Sequence, residues 1–309
     1  MCNSNLSTEI LNMVTGKLLG DGCITKQKGR KPRFQFIHST IDKEWCFFCY
    51  EKLRKDLHFT PPYYKKVVDE RIKKGYTECF QVQSRTDPLI TWLECKWYNN
   101  RKKVIPFPFL EKYLNELALA WWYQDDGHLT RKENTPKKII LSTDNFTSAE
   151  NRRLIGVLAR KFHLLFKLDS QNRLILYDQL QIYYFLRLVE PYMHSSMKRK
   201  IIFPKHSTVS KNRTTIYLPS NIHLTKPTME INQQLSFLNT LKDIVMDRTR
   251  YLEFFKKVIV PNTLTQETKG FQIIIHGKYN GNLQFIKNHT GLTNSQIITL
   301  CFRNNFLEI

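Results

Sequence analysis

Two short apolar runs, each ending in an aspartate and a glycine, place the strongest constraint on how this chain can fold. Residues 14–22 read VTGKLLGDG and residues 119–127 read LAWWYQDDG. An acid at the carboxyl end of a helix opposes the helix dipole, at a cost of about 0.3–1 kcal/mol. Because the arrangement occurs twice, at Asp21 and Asp126, we infer that both acids are required for a reason other than helix stability.

The segments that follow the two runs have the same predicted order, which indicates an internal repeat. In the first half, Phe34 and Phe36 alternate with polar residues, a period of two that predicts a half-buried strand. After each run the sequence predicts two strands, a helix, two further strands and a final helix, followed by a lysine-rich segment, RKKVIP or KRKIIFP. Each half is therefore predicted to be an αββαββα unit, the first spanning 1–104 and the second 105–204.

Residues 205–309 do not continue the repeat. An extended, proline-punctuated linker is predicted first, followed mainly by helices. The last helices form a pair around Gly291, with Leu292 and Ile297 as apolar anchors. Such a pair fits either a helix-turn-helix that adds DNA contacts or a helical cap on the second half-unit, and the sequence leaves both open.

The charge balance indicates a polyanionic partner. Lys and Arg total 48 against 27 Asp and Glu, which gives a formal net charge of +21. Chains this basic commonly bind nucleic acid, and the alternative is a ribosome-associated or merely basic protein. The apolar content of 41% and aromatic content of 13% argue against disorder.

Cysteine usage and hydropathy predict an intracellular, reducing setting. The seven cysteines are odd in number and scattered, which does not suggest a disulfide framework. Cys46 and Cys49 lie among large apolar residues and are predicted to be buried core thiols. No apolar run reaches the length of a membrane span, and the N-terminal residues do not form a secretory signal. We expect no membrane partner, and a location in a bacterial or phage-host cytoplasm or an organelle matrix.

The two acids predict a divalent metal site. Gly16 and Gly20 in the first run are spaced for close helix contact, and each glycine costs about 1 kcal/mol in a helix interior. The two helices are therefore expected to pack side by side. Asp21 and Asp126 then meet, and two close carboxylates repel unless a cation lies between them. Mg²⁺ accepts such oxygen ligands and assists phosphoryl displacement, whereas the alternative is that both acids are solvated helix ends.

At these residues the sequence resembles the LAGLIDADG homing endonucleases, in the single-chain form with two motif copies. The resemblance covers roughly residues 8–204. It implies an α+β fold of pseudo-symmetric tandem αββαββα repeats, in which two antiparallel sheets form a DNA-binding saddle and the motif helices pack at its centre. The second copy departs from the pattern, because Trp121 and Asp125 replace the expected small residues. Ala118 and Ala120 are expected to provide the close packing instead.

The resemblance also implies which residues hold metal. Asp21 and Asp126, the last acids of the two motifs, are expected to share about two or three Mg²⁺ ions, with Mn²⁺ as a substitute. Gly20 and Asp125 are included as metal-site residues. Asp125 ranks below Asp126, because it stands where the first copy has Gly20.

Basic residues near the ends of the half-units complete such sites in the family. Lys103 and Lys200 occupy those places and are expected to polarise the attacking water or to stabilise developing phosphorane charge. The alternative is that both are ordinary phosphate contacts in basic segments. Gln35 is expected to order water near the site.

The implied activity is site-specific hydrolysis of double-stranded DNA. One phosphodiester would be cut on each strand, with 3′ overhangs, and the break would initiate mobility of the host intron. A long, non-palindromic target is expected because the halves differ in sequence, and the protein is expected to be a monomer. The alternatives are an intron maturase that binds its intron RNA, and a DNA-binding regulator that does not cut.

Polar residues on the predicted strands and basic turns are the expected DNA contacts. Arg and Lys can contact guanine edges and Gln can pair with adenine, whereas phosphate contacts set position without reading sequence. The candidates are Lys26, Lys28, Arg30, Arg33, Gln35, Lys65, Lys66, Gln81, Gln83, Arg85, Arg131, Lys137, Lys138, Ser142 and Arg173.

Overall fold

The first half of the chain folds in the predicted order. Its elements are α1 (Thr8–Leu19), β1 (Cys23–Thr25), β2 (Arg33–Ser39), α2 (Lys43–Leu53), β3 (Tyr63–Val68), β4 (Tyr76–Gln83) and α3 (Pro88–Trp97). They belong to a computed structural model that describes residues 6–71, 73–132, 135–201, 213–259 and 267–303. A short pair, β5 (Tyr98–Asn99) and β6 (Lys102–Lys103), leads into α4 (Phe107–Tyr113).

The second half repeats the order. Its elements are α5 (Glu116–Asp126), β7 (Gly127–Lys132), β8 (Thr135–Leu141), α6 (Ser148–Phe162), β9 (Lys167–Leu168), β10 (Leu174–Leu176) and α7 (Gln179–Val189). The start of α6 is fixed by a capping box in which Thr147 and Glu150 satisfy each other's backbone amides.

Two four-stranded sheets of matching order confirm the repeat and the α+β class. Their strand orders are β1-β2-β4-β3 and β7-β8-β10-β9. The pairs β1/β2, β2/β4, β3/β4, β8/β10 and β9/β10 are antiparallel. The alternation predicted for β2 is also confirmed, because Phe34 and Phe36 are buried while Arg33 and Ile37 are exposed.

Helix α2 covers the apolar face of the first sheet. The Phe47 and Phe80 rings meet edge to face, with centroids 5.4 Å apart. Cys46 and Cys49 on this helix are fully buried, as predicted. Burial raises the pKa of the Cys46 thiol to about 12, so it behaves as a packing residue.

The described residues divide into two compact units. The first holds those within Met1–Thr130, Ile139–Leu176 and Val189–Ile202, and the second holds those within Arg131–Lys138, Tyr177–Leu188 and Phe203–Ile309. Both motif helices lie in the first unit. The predicted half-unit boundary after residue 104 falls within the first unit, and the one after residue 204 lies outside the described residues. Both boundaries stay predictions.

The second unit contains a sheet that the sequence did not reveal. Strand β11 (Arg213–Pro219) occupies the segment predicted as a linker, and it pairs antiparallel with β12 (Thr268–Ile274). Between and after these strands lie α8 (Pro227–Gln234), α9 (Leu238–Met246), α10 (Arg248–Phe254), α11 (Asn280–Thr290) and α12 (Asn294–Arg303). The helical character predicted for this region is confirmed. Within the described ranges, each helix is too short or too polar to cross a bilayer.

The predicted helix pair near the C-terminus is present and packs into the second unit. Gly291 ends α11 in the left-handed conformation, with φ of 75°. Leu292 and Ile297 are buried as expected, and the Ser295 hydroxyl accepts from the Tyr217 amide of β11 at 3.0 Å. These contacts lie within the second unit, and both the helix-turn-helix and the cap on the second half-unit stay predictions.

Candidate active site

The two motif helices, α1 and α5, pack directly against each other. A Cβ on Gly16 would lie 2.5 Å from the Ala118 carbonyl oxygen and 2.6 Å from the Trp121 Cβ. A Cβ on Gly20 would lie 2.6 Å from the Asp125 Cβ. The expectation for Ala118 is confirmed, but Trp121 and Asp125 also belong to the interface. They fill the space that the glycines of the first motif leave open.

The ends of these helices place the two predicted acids in one electrostatic cluster. Gly20 caps α1 and Asp21 follows it, whereas Asp126 is the last residue of α5. Burial, then the Asp125 carboxylate and, to a smaller extent, Asp126 raise the pKa of Asp21 to about 8, against the opposing effect of Lys17. Burial and Asp125 likewise raise the pKa of Asp126 to about 6. The carboxylates are therefore destabilised as bare anions.

Each predicted lysine lies over the carboxyl end of the motif helix in its own half. The Lys103 ammonium donates to the Gly22 carbonyl at 2.8 Å and to the Gly20 carbonyl at 3.5 Å. The Lys200 ammonium donates to the carbonyls of Gln124 and Asp125 at 2.6 and 3.1 Å. Such carbonyls have no partner within the helix, and the helix dipole favours a cation there.

Burial weakens the proton affinity of both lysines. It lowers the pKa of Lys103 to about 8, against the opposing effect of nearby acids that include Asp126. It also lowers the pKa of Lys200. The two halves thus supply matched, partly desolvated ammonium groups beside the acids.

Two residues that sequence reasoning missed, Lys17 and His38, contact the acids of this cluster. Lys17 is fully buried and donates to the Asp125 carboxylate at 2.9 Å. Burial works to lower the pKa of Lys17, but the combined effect of nearby groups, with Asp125 the largest among them, more than offsets burial and the pKa rises above its ordinary value. Asp125 also accepts from the Trp45 indole at 2.8 Å and from the Asp21 amide at 3.2 Å. The signal in the sequence was a lysine inside an apolar helix.

His38 continues the buried face of β2 and contacts both sides of the cluster. Its Nε2 lies 2.8 Å from the Lys17 ammonium, and its Nδ1 lies 3.3 Å from the Asp21 carboxylate. Burial, followed by the charges of Lys17 and Lys200, holds the pKa of His38 well below its ordinary value, so the ring is neutral near pH 7. An ionisable residue in register with Phe36 on a buried face was the available signal.

The donor chemistry of the cluster fits a divalent cation. Ligand atoms of Asp21, His38 and Asp125 all lie within 4.8 Å of one another. The Lys17 ammonium already serves as a cation between His38 and Asp125. A bound cation would reverse the raised pKa values of the Asp21 and Asp126 carboxyl groups.

Gln35 belongs to a polar row on the sheet face opposite α2. Its side-chain oxygen accepts from the amides of Gln81 and Gln83, both at 3.3 Å. Arg33 donates to the Gln83 side chain at 3.2 Å. Because β2 and β4 pair in this register, four polar residues form one hydrogen-bonded row.

The two lysines of β3 separate onto different faces. Lys65 lies opposite Cys79 of β4. Cys79 and Gln81 are two residues apart and share one face of the sheet, so Lys65 lies on the polar face. Lys66 lies on the other face, with its ammonium 3.7 Å from the centre of the Tyr76 ring. Successive residues of a strand point in opposite directions, so both lysines cannot belong to one DNA-facing row.

The remaining candidates for DNA contact differ in their exposure to solvent and in their ion pairs. Those exposed to solvent are Lys26, Lys28, Arg30, Arg85, Arg131 and Lys137, and those half-buried are Lys138, Ser142 and Arg173. Lys26 lies 3.3 Å from the Glu94 carboxylate, and Arg173 forms an ion pair with Asp169 at 2.8 Å. Arg30 and Arg33 line a basic cleft of about 330 Å³. The roles of all these residues stay predictions.

The chain is a tandem αββαββα repeat whose two central helices end in clustered acids. A profile of the LAGLIDADG DNA endonuclease family matches residues 11–182, more than half of the chain. The chain therefore belongs to this family, as the resemblance of the two motifs predicts.

Similar proteins include both nucleases and maturases. The cytochrome b mRNA maturase bI2 of Debaryomyces hansenii is 30% identical over 64% of this chain and 76% of its own length. The probable intron-encoded endonuclease 1 of Wickerhamomyces canadensis is 28% identical over 61% of this chain and 81% of its own. The homing endonuclease I-WcaI, solved bound to its DNA recognition sequence, matches with a TM-score of 0.57 and 25% identity, over 65% of this chain and 88% of that one.

Proposed function

We propose that this protein is a site-specific, metal-dependent endonuclease that cuts both strands of duplex DNA. The observation that carries the proposal is the clustering of Asp21 and Asp126 beside the ammonium groups of Lys103 and Lys200. Carboxylates with raised pKa values suit a divalent cation, and the lysines suit a phosphate oxygen. Membership in the LAGLIDADG DNA endonuclease family supports the same function.

Asp21 and Asp126 would hold the divalent ions, which we take to be Mg²⁺ with Mn²⁺ as a substitute. Such ions, when bound, activate water and stabilise charge on phosphate oxygens. The backbone carbonyls of Gly20 and Asp125 are further oxygen donors at this place, although each accepts from a lysine. The Asp125 carboxylate is taken up by Lys17 and is a less suitable ligand.

The ammonium groups and the polar row supply the rest of the chemistry. Lys103 and Lys200 would stabilise the pentavalent phosphorus centre with positive charge as attack proceeds. Gln35, at the centre of the polar row, would orient water near the scissile bond. Because one acid comes from each half, each half would act on one strand, and the staggered cut would leave 3′ overhangs.

The polar row also gives the protein a surface that can read bases. Glutamine side chains pair with adenine and arginine with guanine in the major groove, so Gln81, Gln83 and Arg33 are the strongest candidates for base contact. The corresponding strands of the two halves differ in sequence, which favours a long, non-palindromic target bound by a monomer. I-WcaI, in its complex with a DNA recognition sequence, offers a precedent of similar fold. The break would initiate mobility of the host intron.

An intron maturase on the same fold is the second candidate. It is favoured by the similarity to the cytochrome b mRNA maturase bI2 of Debaryomyces hansenii. The net charge of +21 serves RNA as well as DNA. A regulator that binds DNA without cutting is disfavoured, because binding alone does not need the clustered acids.

The test is cleavage of a DNA library that contains candidate insertion sites, including the intron-less form of the gene that carries this reading frame. The purified protein is incubated with supercoiled library plasmids and Mg²⁺, and linear products are sequenced at their ends. Asp21→Asn and Asp126→Asn are expected to abolish cutting of at least one strand each. Asp144→Asn, at an exposed acid, is the matched control.

The outcomes separate the candidate functions. Defined double-strand ends that are lost in both motif variants support the nuclease. Cutting that persists unchanged in both variants would remove the mechanism. If the protein leaves DNA intact but promotes splicing of its intron RNA, the maturase function replaces the nuclease.

A further inference from the structure

A continuous line of close polar contacts runs from the second motif to the acid of the first. It begins at the Asp125 carboxylate, which accepts from Lys17 at 2.9 Å. The same ammonium lies 2.8 Å from Nε2 of His38. Nδ1 of His38 then lies 3.3 Å from the Asp21 carboxylate. The line is buried except at Asp21, where a third of the side chain is exposed.

The direction of each bond follows from the groups involved. An ammonium group has donors only, so Lys17 must donate to both Asp125 and His38. Nε2 of His38 is therefore an acceptor without a proton. A neutral imidazole carries its single proton on the other nitrogen, so Nδ1 of His38 carries the proton and faces the Asp21 carboxylate at 3.3 Å.

We propose that His38 is a positioning residue for Asp21, held in its Nδ1–H tautomer by Lys17 and Asp125. This rests on the proposed nuclease function. His38 fixes the direction of the Asp21 carboxylate, while Asp125 fixes the adjoining backbone through the Asp21 amide. The second motif thereby orients the acid of the first.

The arrangement of Lys17 and His38 is present only in the first half of the repeat, within the described residues. Four residues before its acid the first motif has Lys17, whereas the second motif has the buried Trp122. His38 precedes a Ser-Thr pair at the end of its strand, and at the same place the second half has the buried Leu141. The matching positions around Asp126 thus carry apolar side chains, and the His38 effect must be confined to the strand that Asp21 serves.

The experiment measures each strand separately. A supercoiled plasmid carrying the cleaved site, labelled on either strand, is incubated with wild-type protein, His38→Leu and His38→Asn. Leucine is the residue at the matching place of the second half, and it has no donor. The asparagine amide reaches the position of Nδ1 and can donate to Asp21.

His38→Leu is expected to slow one strand by about 10²-fold, because misplacement of a reacting group by about 1 Å has effects of that size. Nicked plasmid then accumulates, while DNA affinity is unchanged. His38→Asn is expected to restore much of the lost rate. Phe34→Leu, on the same buried face, controls for a general loss of stability, which slows both strands equally.

Failure of the proposal can be distinguished from failure of the function. If Asp21→Asn still cuts both strands, the function itself is wrong. If Asp21→Asn is inactive but His38→Leu cuts the two strands at equal rates, whether fast or slow, the positioning role is wrong. If His38→Leu does not fold, ¹⁵N imidazole shifts of the wild-type protein decide: a protonated Nδ1 supports the proposal, and a protonated Nε2 overturns it.

Discussion

Gly16 and Trp121 lie opposite each other across the two motif helices, so close that a Cβ on Gly16 would lie 2.6 Å from the Cβ of Trp121. The same relation holds one turn further on, where Gly20 faces Asp125. Small residues on one helix therefore accommodate large ones on the other. The pseudo-symmetry of the motifs is broken in sequence while close contact is kept.

Substitution of Gly16 by alanine is expected to lower the free energy of unfolding by about 1–3 kcal/mol, as overpacking of a rigid interface does. The new methyl group would meet a backbone carbonyl and a Cβ, neither of which can rotate away. The matched control is Gly156→Ala in α6, where the nearest atom is an Arg160 nitrogen at 3.6 Å. There alanine is expected to stabilise the helix by about 0.5–1 kcal/mol. Urea unfolding of both variants checks this, and similar effects of both would contradict it.

Replacement of Lys17 by methionine is expected to destabilise the protein by about 3–5 kcal/mol. Removal of one partner leaves the buried Asp125 carboxylate without its counter-charge. The control is Lys74→Met, because the ion pair of Lys74 with Glu78 is solvent-exposed and such pairs contribute about 0–1 kcal/mol. Denaturant unfolding at pH 7 measures both. A cost for Lys17→Met no larger than for Lys74→Met would show that the buried pair is not needed.

The repeat and its paired acids were readable from sequence because they depend on local signals. The alternation around Phe34 and Phe36 and the two Asp-Gly endings lie within short windows, and a family resemblance joined them. The roles of Lys17 and His38 were not readable, because each becomes meaningful only when β2, α1 and α5 come together. A lysine in an apolar helix has several possible partners, and sequence alone does not choose Asp125.

The sheet of the second unit was missed for a different reason. Strand β11 pairs with β12, a partner far along the chain, and proline and asparagine around β11 are typical of loops. Local propensity therefore indicated a linker where a non-local partner forms a strand. The separation of Lys65 from Lys66 was, by contrast, available from strand periodicity alone.

Methionine at Lys103 or Lys200 is expected to lower kcat by about 10²–10³-fold, with little change in DNA affinity. Loss of one group that stabilises transition-state charge has effects of this size. The neighbouring lysines 102 and 198 are exposed, so Lys102→Met and Lys198→Met are matched controls that are expected to alter mainly affinity. Single-turnover cleavage and DNA titration separate the two effects. Equal loss of kcat in a control and its partner would mean that only the number of charges matters.

The salt dependence of DNA binding is expected to show that DNA binds to the polar face of the first sheet. Lys28→Ala, in the turn between β1 and β2, should reduce the slope of log affinity against log salt by about one, as loss of one phosphate contact does. Lys52→Ala, on α2 behind the sheet, should leave the slope unchanged. Fluorescence anisotropy at several salt concentrations measures both slopes. A larger change for Lys52→Ala would place the DNA on the other face.

In metal-free protein, the stabilising contribution of the Asp21 and Asp126 carboxyl groups is expected to fall as the pH rises from about 4 to about 8, whereas the buried, neutral His38 contributes in the opposite sense around its ordinary pKa value of 6.5. The folded-state pKa values are about 8 for Asp21 and about 6 for Asp126, above the ordinary value of 3.8. The folded state therefore binds these protons more tightly than the unfolded state. The two carboxyl groups stabilise the folded state fully below about pH 4. This stabilisation is lost as the pH rises through about 6 for Asp126 and about 8 for Asp21.

The acids and Lys103 act over different pH ranges in the absence of metal. Burial lowers the pKa of Lys103 from 10.5 to about 8. The contribution of Lys103 to folding stability is therefore present above pH 10.5 and is lost as the pH falls through about 8. In a chelator at pH 7.5, Asp126→Asn should melt higher than the wild-type protein, because it removes an anion from the cluster, whereas Asp144→Asn should not. Mg²⁺ or Mn²⁺ should raise the melting temperature of wild type and abolish the advantage of Asp126→Asn. If Asp126→Asn melts no higher than the wild-type protein in chelator at pH 7.5, the Asp126 carboxylate is not destabilised as an anion, and the argument for a cation beside it would then fail.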